Sequence, residues 1–96
     1  MLLFVRNPYF AAIRDGLKTF EVRAGSRYSR LDTGDSLSIN GRFAVRITRR
    51  DIHISAASLI RALRSSSYPL THQQIDACYP GLEGPYYVFW FDAPAK

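Results

Sequence analysis

Three charged side chains with complementary chemistry, Lys18, Glu21 and Arg23, lie within six positions of the chain. A lysine donates hydrogen bonds, a carboxylate can take up a proton, and a guanidinium binds phosphate or carboxylate through paired N–H groups. Strand side chains alternate between two faces, so Glu21 and Arg23 would share one face while Phe20 and Val22 anchor a core on the other. The spacing is typical of a polar site, but also of an amphipathic strand whose Glu21 and Arg23 are solvated neighbours.

Lys18 also has two interpretations, because Gly16 before it is a plausible helix end. A lysine near the C-terminus of a helix is favoured by the helix dipole and needs no function. The alternative is an amine that acts together with Glu21 in a binding or catalytic site. The sequence around both residues is consistent with either.

Hydrophobic periodicity and turn signals predict the elements that hold these residues. Residues 1–5 resemble a short buried strand, Asn7-Pro8 a helix start with asparagine as N-cap, and Asn40-Gly41 a hairpin turn. The other predicted elements are strand 19–23, polar loop 24–33, strands 36–39 and 42–51, a helix 56–63 capped by Ser55, a helix from the capping box Thr71/Gln74 to Cys78, and strand 86–91.

This order of elements, β-α-β-loop-β-β-α-α-β, predicts an α+β fold and a single domain over residues 1–96. We expect a curled sheet or small mixed β-barrel of about five strands with two to three flanking helices. Aromatic side chains on both faces of strand 86–91 indicate that it lies inside the fold with both sides covered.

The charge of the chain favours an anionic partner. Its net charge is +5, and eleven of its thirteen basic residues are arginine. Arginine binds phosphate bidentately and stacks on bases, so nucleic acid is the first candidate. The alternative is that the arginine bias reflects genome composition and the positive charge serves solubility.

Arginines recur at every fourth position along strand 42–51. Period-two alternation predicts that Arg42, Arg46 and Arg50 share one face, opposite Phe43 and Val45. This basic stripe, assisted by the adjacent Arg49, is a candidate for contact with backbone phosphates, each of which would steepen the salt dependence of binding. Its alternative is a solvated outer strand face.

The loop after the second predicted strand combines Tyr28 with Arg27 and Arg30. An aromatic ring between arginines is suited to base stacking with phosphate contact, although Tyr28 could instead plug a barrel mouth. Asp35, in the Gly-Asp turn that follows, is more simply a turn residue with a local hydrogen bond.

Other reactive residue types predict no further site. His53 and His72 lack metal-ligand spacing, so we expect no metal and no cofactor. Cys78 lacks a recognisable base motif and is expected to be a buried small residue. The remaining aromatic residues of the C-terminal region are expected in the core, namely Tyr79, Tyr86 and Trp90.

The single cysteine permits no internal disulfide, which favours the reducing cytoplasm. The apolar start of the chain stops at Arg6. That run is too short for a signal peptide, and a membrane span needs about 20 apolar residues. We therefore expect no membrane association.

The pattern G-x-K-x-x-E-x-R, followed by a loop and Gly-Asp before a strand, resembles the ASCH family of PUA-like domains. The tail Tyr-Pro-Gly and the aromatic strand after it are also similar to small bacterial members of that family. The resemblance extends over nearly the whole chain. The residues that carry it are Gly16, Lys18, Glu21, Arg23, Gly34, Asp35, Tyr79, Pro80, Gly81 and strand 86–91.

The ASCH resemblance implies a small β-barrel with a cleft beside Lys18, Glu21 and Arg23. It also implies a role with single-stranded RNA, a nucleotide or a modified nucleobase. One branch of the family hydrolyses N4-acetylcytidine. Lys18 matches the lysine of that branch, but its threonine nucleophile falls on Glu21 and the position of its catalytic glutamate falls on Arg64.

Three functional hypotheses follow. The first is an RNA- or nucleotide-binding domain. The second is a hydrolase acting on an acylated nucleoside or on RNA, with Glu21 as general base and Lys18 stabilising an oxyanion. The third is a protein-interaction module whose basic face meets an acidic partner.

Overall fold

The computed structural model describes residues 1–81 and 84–94, so part of the predicted domain, residues 82–83 and 95–96, lies outside the described residues. These residues form five strands, three helices and a 3-10 turn at Ser26–Tyr28. The bounds are β1 Leu2–Leu3, α1 Tyr9–Arg14, β2 Phe20–Ala24, β3 Ser36–Ile39, β4 Phe43–His53, α2 Ala56–Leu63, α3 His72–Cys78 and β5 Tyr86–Phe91. The predicted order of elements is confirmed.

The five strands form one mixed sheet in the order β1-β3-β4-β5-β2. Strands β1 and β3 are parallel, and the other neighbouring pairs are antiparallel. The α+β prediction is confirmed. The predicted barrel is not confirmed, because β1 and β2 are the edges of an open sheet. Strand β1 is also shorter than predicted, since only Leu2–Leu3 pairs with β3.

Strand β5 lies between two hydrophobic cores, and each of its faces contributes to one of them. Tyr87, Phe89 and Phe91 belong to a first core that also contains Ile13 of α1. On the opposite face, Val88 belongs to a second core formed with α2 and α3. The prediction that this strand is covered on both sides is confirmed.

Strand β4 contains a register shift between positions 47 and 49. Ile47 pairs with Phe91, and Arg50 pairs with Phe89. Because Phe89 and Phe91 face the same core, the bulge places Arg50 on the face of Ile47, whereas regular alternation would place these two residues on opposite faces. The structure therefore corrects the prediction of one basic face shared by Arg42, Arg46 and Arg50.

Two of the three helices begin at the N-cap residue that the sequence predicts. Ser55 accepts the N–H of Ser58 at α2, and Thr71 forms the predicted capping box at α3. At α1 the N-cap position is Pro8, not the predicted Asn7, and it has no side-chain cap. The Asn7 carboxamide oxygen nevertheless accepts the N–H of Ala11 at 3.2 Å. Across the described ranges, no helix is long and apolar enough to cross a membrane.

Candidate functional site

The segment between α1 and β2 directs Lys18 back toward the sheet. Gly16 ends the helical turn at φ +78°, a conformation that glycine adopts without steric cost. The backbone N–H groups of Leu17 and Lys18 both donate to Ala12 O, at 2.9 and 3.1 Å. Lys18 is consequently only 2% exposed. This burial excludes the interpretation of Lys18 as a solvated lysine at a helix end.

Glu21 is held by two cations inside the protein. Its Oε1 accepts from Lys18 Nζ at 2.8 Å, and its Oε2 accepts from Arg23 Nη2 at 2.7 Å. Glu21 is 6% exposed, so the interpretation of Glu21 and Arg23 as solvated neighbours is wrong for the carboxylate. The predicted alternation is confirmed, since Phe20 and Val22 lie in the second core.

Arg23 connects the two edges of the open sheet. Its Nη2 donates to Glu21 on β2 and, at 2.8 Å, to Phe4 O just beyond β1. Burial lowers the pKa of the Arg23 guanidinium, but the charge and hydrogen bond of Glu21 outweigh this effect and leave the pKa raised. Arg23 therefore stays cationic between the two edges of the open sheet.

A cleft of about 90 Å³ opens beside edge strand β2. It lies between the N-terminal segment, α1, β2 and α3, and its walls combine apolar side chains with a few converging polar groups, as small-molecule sites do. The described lining residues are Phe4, Val5, Arg6, Tyr9, Lys18, Glu21, Val22, Arg23, Leu70, Gln74, Ile75, Cys78 and Tyr79.

Two side chains cover carbonyl groups that point away from the sheet at edge strand β2. Lys18 Nζ donates to Phe20 O at 3.0 Å, and the Tyr79 hydroxyl donates to Val22 O. An edge strand whose outward acceptors are occupied in this way is a poor template for another strand. The β2 side of the cleft is therefore closed to pairing with a further strand at Phe20 and Val22.

A hydrogen-bonded group of side chains forms the α3 wall of the cleft. Burial first, and then a hydrogen bond with Cys78, raise the pKa of Tyr9 to about 12, whereas a hydrogen bond with Gln74 acts in the opposite direction. Burial, followed by the charge of Glu21, also raises the pKa of Tyr79 above its ordinary value. Both phenols are therefore neutral at pH 7.

Tyr28 of the predicted loop lies against Arg23, which lines the cleft. The Tyr28 ring packs against the first core, and the guanidinium carbons of Arg23 and Arg27 lie 6.0 and 5.1 Å from its centre. These distances correspond to cation–π contacts. Arg30 is exposed in the same loop. Arg23 thus joins the cleft to the Tyr28 surface.

Arg42, just before β4, and the arginines of β4 do not form part of the cleft. Arg42 and Arg46 are exposed, and Arg46 lies on the outer face of β3 and β4, where it donates to Gly34 O. Arg50, on the inner face, donates to Ser29 O at 2.7 Å and to Leu31 O at 3.0 Å. Arg50 therefore fastens the loop after β2 to the sheet.

Arg49 lies on the face opposite Arg50, where its guanidinium carbon is 4.7 Å from the centre of the Trp90 ring. It also forms an ion pair with Asp51 at 3.2 Å, and Asp51 accepts the indole N–H of Trp90 at 2.8 Å. These contacts keep Arg49 away from the cleft.

The structure also places the residues expected to be structural. Asp35 accepts the N–H of Asp32 at 2.9 Å, as a turn residue would. Tyr86 is buried, whereas Trp90 is only partly buried and Cys78 lies in the cleft wall rather than in a core. Within residues 1–81 and 84–94, no cluster of three His, Cys, Asp or Glu side chains could hold a metal ion.

Several cleft residues were not predicted from the sequence. The sequence patterns predict Tyr79 only in the core, identify Gln74 only as a capping residue, and give no role to Arg6 or Tyr9. The capping box could have indicated that the Gln74 side chain is fixed, but no local pattern indicates that α3 packs beside β2.

The likeness of this chain to known proteins is one of fold. No family model and no curated protein matches it. Among solved structures, it is similar to the hypothetical protein PH0355, with a TM-score of 0.70 and 13% identity over 98% of this chain and 97% of that chain. It is also similar to protein PF0455 from Pyrococcus furiosus, with a TM-score of 0.68 and 14% identity over 99% of this chain and 96% of that chain. At these identities the likeness shows the fold alone.

Proposed function

We propose that this protein is a small nucleic-acid-binding domain of the ASCH, PUA-like type, which binds single-stranded RNA or a nucleotide in the cleft beside β2. The observation that carries the proposal is the ion-pair cluster of buried Lys18 and Glu21 with half-buried Arg23 in the wall of an open cleft. Buried charges are costly, and their retention at a concave surface is typical of functional sites.

The surface around the cleft supports a nucleic-acid ligand. Arg23 contacts the Tyr28 ring, so a strand that leaves the cleft meets an aromatic surface flanked by the exposed Arg27. Bases stack on such rings without sequence preference, while arginine contacts the phosphates. Arg42, Arg46 and Arg50, which lie outside the cleft, are left out of the proposed interface.

A fluorescence anisotropy titration with a labelled RNA single strand at two salt concentrations tests this function. We expect binding to weaken at the higher salt concentration. We also expect Tyr28→Ala to lose roughly 1–3 kcal/mol of binding free energy through lost stacking. Arg42→Ala, an exposed change outside the cleft, is the control and should bind normally. Affinity that is indifferent to salt and to Tyr28→Ala would refute the interface.

Hydrolysis of an acylated nucleoside or of RNA is the second candidate. The observation in its favour is that Lys18 and Glu21 both line the cleft. However, both oxygens of Glu21 are engaged by cations, so the carboxylate must exchange a partner before it takes a proton. The enzyme hypothesis predicts product from N4-acetylcytidine or an RNA oligomer that Glu21→Gln abolishes. Absence of product from both substrates would eliminate it.

A further inference from the structure

The acceptor groups at the β2 side of the cleft are already occupied. Both carboxylate oxygens of Glu21 accept from cations, Phe20 O accepts from Lys18, and Val22 O accepts from Tyr79. A ligand that approaches this wall therefore finds few acceptors for its own N–H or O–H groups.

The donor groups, by contrast, are not all paired with acceptors of the described residues. Lys18 carries three N–H donors, and the acceptors of the described residues engage two of them, at Phe20 O and Glu21 Oε1. Arg23 uses Nη2 for its contacts, and its Nε is buried with no hydrogen-bond partner among the described residues. A buried donor without an acceptor costs about 1–3 kcal/mol, so a ligand oxygen here would relieve a penalty.

Gln74 adds a donor whose orientation is fixed. Its carbonyl oxygen accepts the N–H of Thr71 at 2.8 Å in the capping box of α3. The amide nitrogen must therefore point the other way, and Gln74 lines the cleft together with Tyr9. A carboxamide nitrogen carries two N–H donors, and a ligand in the cleft can accept from them.

The charge of the cleft agrees with this distribution of donors. Among its described lining residues, Arg6, Lys18 and Arg23 are cationic and only Glu21 is anionic, which leaves a formal charge of +2. The cleft volume of about 90 Å³ is several times the 10–15 Å³ that one water requires. A phosphate group of five heavy atoms fits this combination of size, charge and donors.

We propose that the cleft binds a terminal phosphate, the phosphomonoester of a nucleotide or of an RNA end, through Lys18, Arg23, Gln74 and Arg6. This inference rests on the proposed function and names the part of the ligand that enters the cleft. A phosphomonoester carries about two negative charges at pH 7 and offers acceptor oxygens, which the open donors complement. The nucleotides beyond the phosphate would lie on the Tyr28 surface.

The test compares RNA oligomers of one sequence that end in a 5′-phosphate, in a 3′-phosphate or in hydroxyl groups at both ends. We expect one phosphorylated oligomer to bind at least about tenfold tighter than the hydroxyl form, a difference of about 1.4 kcal/mol. The 5′ and 3′ arms identify which end is recognised. Inorganic phosphate should compete with the phosphorylated oligomer and not with the hydroxyl form.

Matched variants locate the phosphate. Gln74→Glu keeps the capping box, since glutamate is an ordinary partner in that motif, but replaces an open donor with a negative charge. It should abolish the preference for the phosphate, whereas Gln73→Glu, an exposed neighbour on the same helix, should keep it. Arg6→Ala, at an exposed position that lines the cleft, is a second variant and should reduce the preference several-fold.

The outcomes separate this inference from the proposed function. Equal affinity for phosphorylated and hydroxyl oligomers would overturn the terminal-phosphate site and leave RNA binding intact. A preference that survives Gln74→Glu and Arg6→Ala would also overturn it. Binding of none of the oligomers and no effect of inorganic phosphate would overturn both proposals.

Discussion

At the residue scale, the cleft depends on Glu21, because this one carboxylate neutralises two cations in surroundings with little water. An exposed ion pair contributes at most about 1 kcal/mol, whereas the loss of one partner from a buried pair costs about 3–5 kcal/mol. The exposed fractions of the Lys18 and Glu21 side chains, 3% and 8%, place this pair in the second class.

We expect Glu21→Gln to lower the free energy of unfolding by about 3 kcal/mol, because Lys18 and Arg23 would lose their counter-charge without a change of shape. Urea denaturation followed by circular dichroism measures this loss. Asp76→Asn, at an exposed position on α3, removes the same charge and should change stability by less than about 0.5 kcal/mol. A loss below about 1 kcal/mol for Glu21→Gln would mean that the pair behaves as a solvated one.

At the scale of elements, the turn between β3 and β4 also holds β1. Asn40 and Gly41 have φ values of +54° and +67°, as the predicted hairpin turn requires. The Asn40 carboxamide accepts the N–H of Val5 at 2.6 Å and donates to Val5 O at 2.9 Å. One side chain thus continues the pairing of β1 with β3 beyond the end of the strand.

Substitution of Asn40 separates these two contributions. We expect Asn40→Gly, which keeps the positive φ, to lose only the two hydrogen bonds to Val5, or about 1–3 kcal/mol. Asn40→Ala loses the same bonds and adds about 1 kcal/mol of backbone strain, since alanine rarely adopts a positive φ. Thermal denaturation of the two variants measures the difference. Equal stabilities would show that strain at the turn contributes nothing.

At the scale of the whole molecule, β5 couples the two cores. Phe89 is fully buried in the first core, and its neighbour Trp90 packs against the second core from the opposite face. Because one short strand serves both cores, neither can open while the other remains packed. The described part of the chain should therefore unfold in one cooperative transition.

We expect Phe89→Ala to cost about 3–5 kcal/mol, the usual range for deletion of a buried aromatic side chain. Trp90 fluorescence and far-ultraviolet circular dichroism should report the same midpoint in this variant, although Trp90 lies on the other face. Ile54→Ala, at a residue 84% exposed, is the control and should be near neutral. Two separate midpoints would show that the cores unfold independently.

Local signals were sufficient to predict the elements and their order. Alternating apolar residues identified β3, an apolar run with aromatic residues on both faces identified β5, Asn40-Gly41 identified the hairpin, and the capping box of Thr71 identified the start of α3. Each is a property of residues close together in the chain, so backbone geometry and side-chain propensity determine it. Alternation also placed Glu21 and Arg23 on one face of β2, but could not indicate whether water reaches that face.

Burial, the cleft and the final position of the arginines were decided by tertiary structure. A bulge depends on the fit between two strands, so strand periodicity alone could not place Arg50 on the inner face. Gln74 lines the same cleft as Lys18, and Tyr79 donates to Val22 O, only because α3 packs beside an edge strand about fifty positions earlier in the chain. By itself the sequence determined that Lys18, Glu21 and Arg23 would lie close together. Long-range packing then buried Lys18 and Glu21 and half-buried Arg23, which placed these three neighbouring charges in the wall of a cleft.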